Sequence, residues 1–292
     1  MNSDVKRIKE VINCDFFLSD ISMDIKQIKK YYRASSFAYR KIYSKEGFMH
    51  MRVSTDGKLK DEDVLYQVNK ADEYLNDKTK DVLELGCGQG ANISVLAQRH
   101  PGIHFNGVDL SPSIQKRYSN VELFKCDYHH LSMFHDNMFD VILAFETLCY
   151  STNKTRLFEE IFRVLKEGGK LIIYDVYARK KEEMCSDEEK EIMRLVPRGM
   201  SVEKFDFVDD GEKYIKDAGF KEVINNDISA LILPTLMNLK NKVEKCIRQG
   251  YLFTLICNIL PKKFVGNGVA GYLMYKSINE RILLYKEQIY TK

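Results

Sequence analysis

One stretch limits what this chain can fold into more than any other: Asp81-Val-Leu-Glu-Leu-Gly-Cys-Gly-Gln-Gly-Ala-Asn92. A short β-prone run, Asp81–Leu85, carries an acid at position 84. Two residues after that acid, Gly86-x-Gly88-x-Gly90 opens a helical segment, Asn92–Arg99. Glycines tolerate backbone angles that other residues resist and let a ligand come close to the main chain. In a parallel sheet, ligands bind beyond the carboxyl ends of the strands, near the point where strand order reverses. A glycine triplet alone also fits a plain strand-to-helix turn, so its meaning rests on the residues C-terminal to it.

Those residues alternate between strand and helix. His104–Leu110 reads as a second strand behind Pro101-Gly102, Val121–Lys125 as a third, and Phe139–Phe145 as a fourth. The fourth is nearly continuous in apolar residues, as in a strand buried on both faces. Lys154–Lys166 reads as a helix stopped by Gly168-Gly169, Lys170–Tyr174 as a fifth strand, and Phe220–Asn226 as a sixth. Strands separated by helices of this length predict a Rossmann-like α/β fold, a mostly parallel sheet with helices on both faces. Three regions are expected: a helical lid segment over 1–60, the sheet core over 61–229, and a helical pocket lobe over 230–292. The lobe's helices are expected to break at Pro234, Pro261 and the Gly266/Gly268 pair. Gln288–Lys292 looks like the start of a closing strand, either short or cut off.

Acids stand at three successive strand ends. Glu84 beside a pyrophosphate would be repelled, whereas beside a cationic sulfonium and an ammonium group it is favourable. Dinucleotide sites favour G-x-G-x-x-G over the G-x-G-x-G found here. Asp109 lies 19 positions after Gly90, where a carboxylate would accept hydrogen bonds from both ribose hydroxyls. Asp127 follows the third strand and could receive an adenine amino group. Each acid by itself could also cap a helix or a turn. The three together favour one ligand.

With these residues in view, positions 81–176 resemble the core of class I S-adenosylmethionine-dependent methyltransferases. Glu84-Leu-Gly-Cys-Gly-Gln-Gly90 is similar to that family's glycine-rich motif, Val108-Asp-Leu-Ser111 to its ribose motif and Cys126-Asp127 to its adenine motif. Arg163-Val-Leu-Lys-Glu-Gly-Gly-Lys-Leu171 is similar to the family's next helix-to-strand segment, with Glu167 where a proline is more usual. The resemblance implies S-adenosyl-L-methionine as cofactor. Its contacts would be Glu84, Gly86, Gly88, Gly90, Asp109, Leu110, Asp127, Tyr128 and Phe145.

The acceptor side is read from the end of the fourth strand, Phe145-Glu146-Thr147-Leu148-Cys149-Tyr150. The Asn/Asp-Pro-Pro-Tyr/Phe signature of many nitrogen methyltransferases is absent. The segment resembles sterol and prenyl-diphosphate carbon methyltransferases, which pair a Glu with a His or Tyr four positions later; here the pair is Glu146 and Tyr150. Alkene methylation generates a carbocation, which aromatic faces stabilise by about 0.5–2 kcal/mol each. A carboxylate then removes a proton. The aromatic run from Tyr31-Tyr32 to Phe48 and His50 resembles the lid of that group but lacks its Trp-Gly pair. The expected catalytic set is Glu146, Tyr150, Tyr31 and His50. A contact with the cofactor alone is the other reading of Glu146, and plain packing the other reading of the aromatic run. His129-His130 reads as a surface loop, a base or a metal pair, the loop being favoured for want of a carboxylate at ligand spacing; no metal is expected.

The expected enzyme methylates a small lipophilic molecule, at carbon of an isoprenoid or sterol-like alkene. The alternative is O- or N-methylation of a small natural product with His50, His129 or Glu146 as base. A cofactor-binding subunit without catalysis is a third reading. Composition narrows the partners. The 292 residues carry a net charge of +3, too slight for a nucleic-acid field. Seven cysteines without metal spacing, behind a charged N-terminus, suit reduced thiols in a cytoplasm. The apolar stretch Tyr251–Leu260 is too short to cross a bilayer, which takes about 20 residues. Lys240, Lys242, Lys245, Lys262 and Lys263 leave a diphosphate, a peripheral membrane contact or a solvated face open. Oligomeric state is not legible.

Overall fold

The computed structural model describes residues 3–15, 46–113 and 118–292. Seven strands form one sheet: β1 (Asp81–Leu85), β2 (His104–Asp109), β3 (Val121–Lys125), β4 (Phe139–Phe145), β5 (Leu165–Ala178), β6 (Lys221–Asp227) and β7 (Leu283–Thr291). Their order is β3-β2-β1-β4-β5-β7-β6. The first five are parallel, and β7 runs antiparallel between β5 and β6. Strand order reverses between β1 and β4, so their carboxyl ends open a crevice for a ligand. This is the expected α/β sheet with helices on both faces.

The α-helices among the described residues are α1 (Asp4–Val11), α2 (Tyr66–Asp72), α3 (Ala91–Arg99), α4 (Lys154–Val164), α5 (Asp187–Gly199), α6 (Val208–Asp217), α7 (Ser229–Ile247), α8 (Tyr251–Ile259) and α9 (Lys262–Asn279). In α4, Asn153 caps the start by accepting from the Arg156 amide, and Leu157, Phe158, Ile161 and Val164 bury one stripe. β4 is buried along almost its whole length, as its apolar run predicts. Two apolar clusters form around the sheet. One contains Leu85, Ile142, Leu157 and Ile173. The other joins Ile93 and Val141 to the C-terminal helices through Ile232, Leu236 and Leu273.

Three local expectations are corrected. α7 runs through Pro234, and α9 runs through Gly266 and Gly268. Packing outweighs propensity there: a Cβ on Gly199 of α5 would come within 2.4 Å of the Gly266 carbonyl, so the two helices meet backbone to backbone. The lobe's helices break instead at Gly250, whose φ is +58°, and at Pro261 as expected. α4 ends at Val164 because Leu165 already pairs with Phe139, across a bulge in the β4–β5 ladder. The closing strand is also longer than its sequence suggests, starting at Leu283. Lys286, Glu287 and Gln288 are buried in it yet polar, which hides a central strand from pattern reading. Lys286 and Glu287 are tolerated because they are paired: Lys286 with Glu212 at 2.8 Å, and Glu287 with the Tyr174 hydroxyl and the Asn226 amide.

Candidate functional site

The crevice at the carboxyl ends of β1 to β4 holds a cavity of about 630 Å³. Gly86, Gly88, Asp109, Leu110, Asp127, Tyr128, Phe145, Glu146, Tyr150 and His50 all line it, with Glu84 at its floor. Tyr31 and Tyr32 lie outside the described residues.

The cofactor edge is built locally. Gly86, Gly88 and Gly90 all have positive φ, at 63°, 51° and 66°. That is the left-handed region where other residues are strained. A Cβ on Gly86 would strike the Thr147 hydroxyl, so β1 and the turn after β4 touch only because a glycine is there. Asp109 ends β2 with its carboxylate set by the Gly88 amide at 3.1 Å and the Ser111 amide at 2.7 Å. Glu84 is 2% exposed. One of its oxygens accepts from the Asn92 amide at 2.7 Å, and the other is buried without a partner. Burial pushes its pKa up to about 8. An orphaned carboxylate oxygen at the floor of a cavity suits a cationic donor, so the residues present fit the ammonium and sulfonium of S-adenosylmethionine.

His50 sits behind this edge. Its Nε2 is 2.9 Å from the Asn92 carbonyl oxygen, while the Asn92 amide nitrogen faces Glu84. The Nε2 proton is therefore assigned from this network. Burial lowers the His50 pKa, against the pull of the Asn92 and Met51 oxygens that its two ring nitrogens face. The ring also packs edge-on against Phe48 and Phe145.

Asp127 is engaged by its neighbour. The His129 amide donates to Oδ1 at 3.0 Å, and the His129 ring nitrogen Nδ1 lies 2.6 Å from the same oxygen. Burial acts to raise the Asp127 pKa, but these His129 bonds prevail and hold it below the usual value. His129 Nε2 reaches the Ser151 hydroxyl at 2.8 Å. Among the described residues, no group of three or more His, Cys, Asp or Glu side chains is placed to hold a metal.

The acceptor edge is assembled from distant parts of the chain. Glu146 has a φ of +50°, an uncommon angle for a non-glycine residue that clusters at functional sites. Its amide continues the sheet by donating to the Tyr174 carbonyl at 2.7 Å. Its Oε1 accepts from the Met51 amide at 2.5 Å and from the Tyr285 hydroxyl at 2.8 Å. Burial pushes the Glu146 carboxyl up to about 8, against the pull of these two donors. Gln67 braces both: its amide nitrogen donates to the Met51 carbonyl at 2.7 Å and to the Tyr285 oxygen at 3.1 Å. The Met51 segment is fastened to α7 in turn, where the Thr235 hydroxyl donates to the Arg52 carbonyl and the Ser54 amide to the Leu231 carbonyl. Tyr150 borders the cavity while its hydroxyl donates to the Met200 carbonyl at 3.1 Å. The Tyr128 hydroxyl donates to the Thr147 carbonyl.

Sequence reading does not single out Tyr285, Gln67, Met51 or the Asn92 bridge. Asn92 stands at the end of the glycine motif and is within its reach. Tyr285 is separated from Glu146 by 139 positions and offers no local signal.

The family described as "Methyltransferase domain" matches residues 83–173, which span the glycine loop, all three acid-bearing strand ends and β4. The chain carries a class I S-adenosylmethionine-dependent methyltransferase domain. This domain is similar to a sterol 24-C-methyltransferase of Gibberella zeae, 26% identical over 66% of the chain and 53% of that protein. It is similar to phosphoethanolamine N-methyltransferase 1 of Arabidopsis thaliana, 29% identical over 56% of the chain and 33% of that protein. The chain thus spans about half the length or less of these curated relatives. The fold is shared with the [4+2]-cyclase SpnF, at a TM-score of 0.71 and 19% identity over 92% of the chain and 96% of the cyclase. The methyltransferase domain thus has relatives that methylate carbon and relatives that methylate nitrogen.

Proposed function

We propose that the protein transfers the methyl group of S-adenosylmethionine to a small lipophilic acceptor, at carbon of an isoprenoid or sterol-like alkene. The observation that carries this reading is the Glu146 carboxyl, fixed by the Met51 amide and the Tyr285 hydroxyl beside an aromatic cavity. The described residues lining that cavity include no Lys or Arg.

The cofactor supplies an electrophilic methyl group on a cationic sulfur. Glu84 would hold the cofactor's ammonium, Asp109 its ribose hydroxyls and Asp127 its adenine amine. Bound there, it would give its methyl group to the alkene carbon and leave as a neutral thioether, the positive charge passing to the acceptor. Phe48, Phe145, Tyr128 and Tyr150 border the cavity and offer ring faces to that cation, each worth about 0.5–2 kcal/mol. Glu146 then takes a proton from the adjacent carbon, and the product is an alkene with one carbon more. A neighbouring sulfonium favours the ionised carboxylate, drawing Glu146 below its raised value and readying it as a base. His50 would contribute to the walls of this site.

The relatives that methylate phosphoethanolamine favour a second reading, nitrogen methylation of a small amine, with Glu146 taking the ammonium proton.

The test is Glu146→Gln with radiolabelled cofactor and an organic extract of the producing cell. Wild-type protein is expected to place label in a discrete lipophilic product carrying a new carbon–carbon bond. The variant should lose about 10²–10⁴ of turnover while binding cofactor as before. Label only in polar products, or in a methyl amine, would defeat the carbon reading.

A further inference from the structure

Helix α8 turns its apolar side outward. Tyr251, Leu252, Leu255, Ile256 and Ile259 are 78%, 57%, 42%, 42% and 85% exposed. Their spacing (i, i+1, i+4, i+5, i+8) gathers them on one face of the helix. The helix contains no charged residue. Contiguous exposed apolar surface of this kind marks a contact with something apolar.

The charge around the helix says what. Lys242, Lys245 and Arg248 are exposed at the end of α7, and Lys262 and Lys263 open α9 on the other side. Between residues 240 and 263 the chain holds six basic residues and one acid, Glu244. An apolar stripe framed by positive charge matches an anionic lipid surface: acyl chains meet the stripe and headgroups meet the lysines and arginine. A second copy of the chain would instead bring two positive rims together. At nine residues α8 cannot cross a bilayer, and no helix among the described residues is long and apolar enough to do so.

We infer that α8 is a docking helix that lies in the interface of an anionic membrane, with the ends of α7 and α9 gripping its headgroups. The inference does not depend on the acceptor proposed above, because its readout is binding and not turnover.

The experiment sediments the full chain with phosphatidylcholine vesicles, with and without phosphatidylserine. The protein should pellet with the phosphatidylserine vesicles at low salt and be released as salt rises. Leu252→Glu with Ile259→Glu changes only exposed side chains, so the fold should persist; cofactor binding and far-ultraviolet circular dichroism verify this. That double variant should remain in the supernatant. Lys245→Glu and Arg248→Glu should each weaken binding at least about fivefold, the equivalent of about 1 kcal/mol per basic residue near such a surface. Three results would overturn the inference: no pelleting with either vesicle, equal pelleting of wild-type protein and the apolar-face variant, or a solution dimer that the same variant splits.

Discussion

Two buried glutamates, Glu84 and Glu146, stand at the ends of neighbouring strands and share a raised pKa of about 8, yet they are supported in opposite ways. Glu84 is held from within one strand-turn-helix unit: its partner Asn92 lies eight positions away. Glu146 is held by Met51 and Tyr285, which lie 95 and 139 positions away. The cofactor edge is therefore a local device that one motif can carry from protein to protein. The acceptor edge depends on the segment around Met51, on α7 and on the antiparallel strand β7 arriving together. That difference fits a domain whose cofactor is read from a short motif while its relatives act on unlike acceptors.

Breaking the local edge should have the larger effect on binding. Glu84→Gln removes a charged acceptor for the cofactor's ammonium, and a hydrogen bond to a charged group is worth about 1.5–3 kcal/mol. Calorimetry should show cofactor affinity falling about 10- to 150-fold. An unchanged affinity would remove Glu84 from the site.

The distant edge should respond more mildly and in a different quantity. Tyr285→Phe deletes one donor to Glu146, worth about 0.5–1.5 kcal/mol. Turnover should fall about 2- to 13-fold at constant cofactor affinity. Without that donor the Glu146 carboxylate is harder to ionise, so the rising limb of the pH–rate profile should move to higher pH. A fall in cofactor affinity with an unmoved profile would make Tyr285 a packing residue only.

The smallest effect is common to both edges. Each glutamate has a folded pKa above its unfolded value of about 4.5, so the folded free protein binds more protons than the unfolded chain. Their contribution to stability is full below about pH 4.5 and is lost as pH rises toward about 8. The melting temperature of the free protein should fall across that window. A cationic cofactor favours both carboxylates in ionised form, so its binding should release protons and tighten as pH rises to about 8. Calorimetry in buffers of different ionisation enthalpy measures the release. Proton uptake on binding would contradict the charge pairing on both edges.

Legibility in the sequence divides along the same line. The strands β1, β3 and β4 match the expected bounds, because each is a short apolar run closed by glycine or polar residues within a few positions. Asp109 and Asp127 are readable from their places at strand ends. The role of His129 is not: its bond to Asp127 is two residues long, but its anchor on Ser151 crosses to another loop. The helices continue through Pro234 and Gly266, against the expected breaks, because tight packing between helices favours the continuous form over the local cost of those residues.

By itself the sequence determined the parallel half of the sheet, the glycine loop and the acids at the strand ends around the cavity, since these follow from backbone freedom and charge within a few residues of one another. Only the tertiary structure decided what steadies Glu146. Tyr285 comes from a strand whose buried polar residues disguise it, and Met51 and Gln67 reach the site through the packing of α2 and α7. Hydrogen bonds between segments so far apart leave no periodicity to read, because their geometry exists only once the sheet has closed.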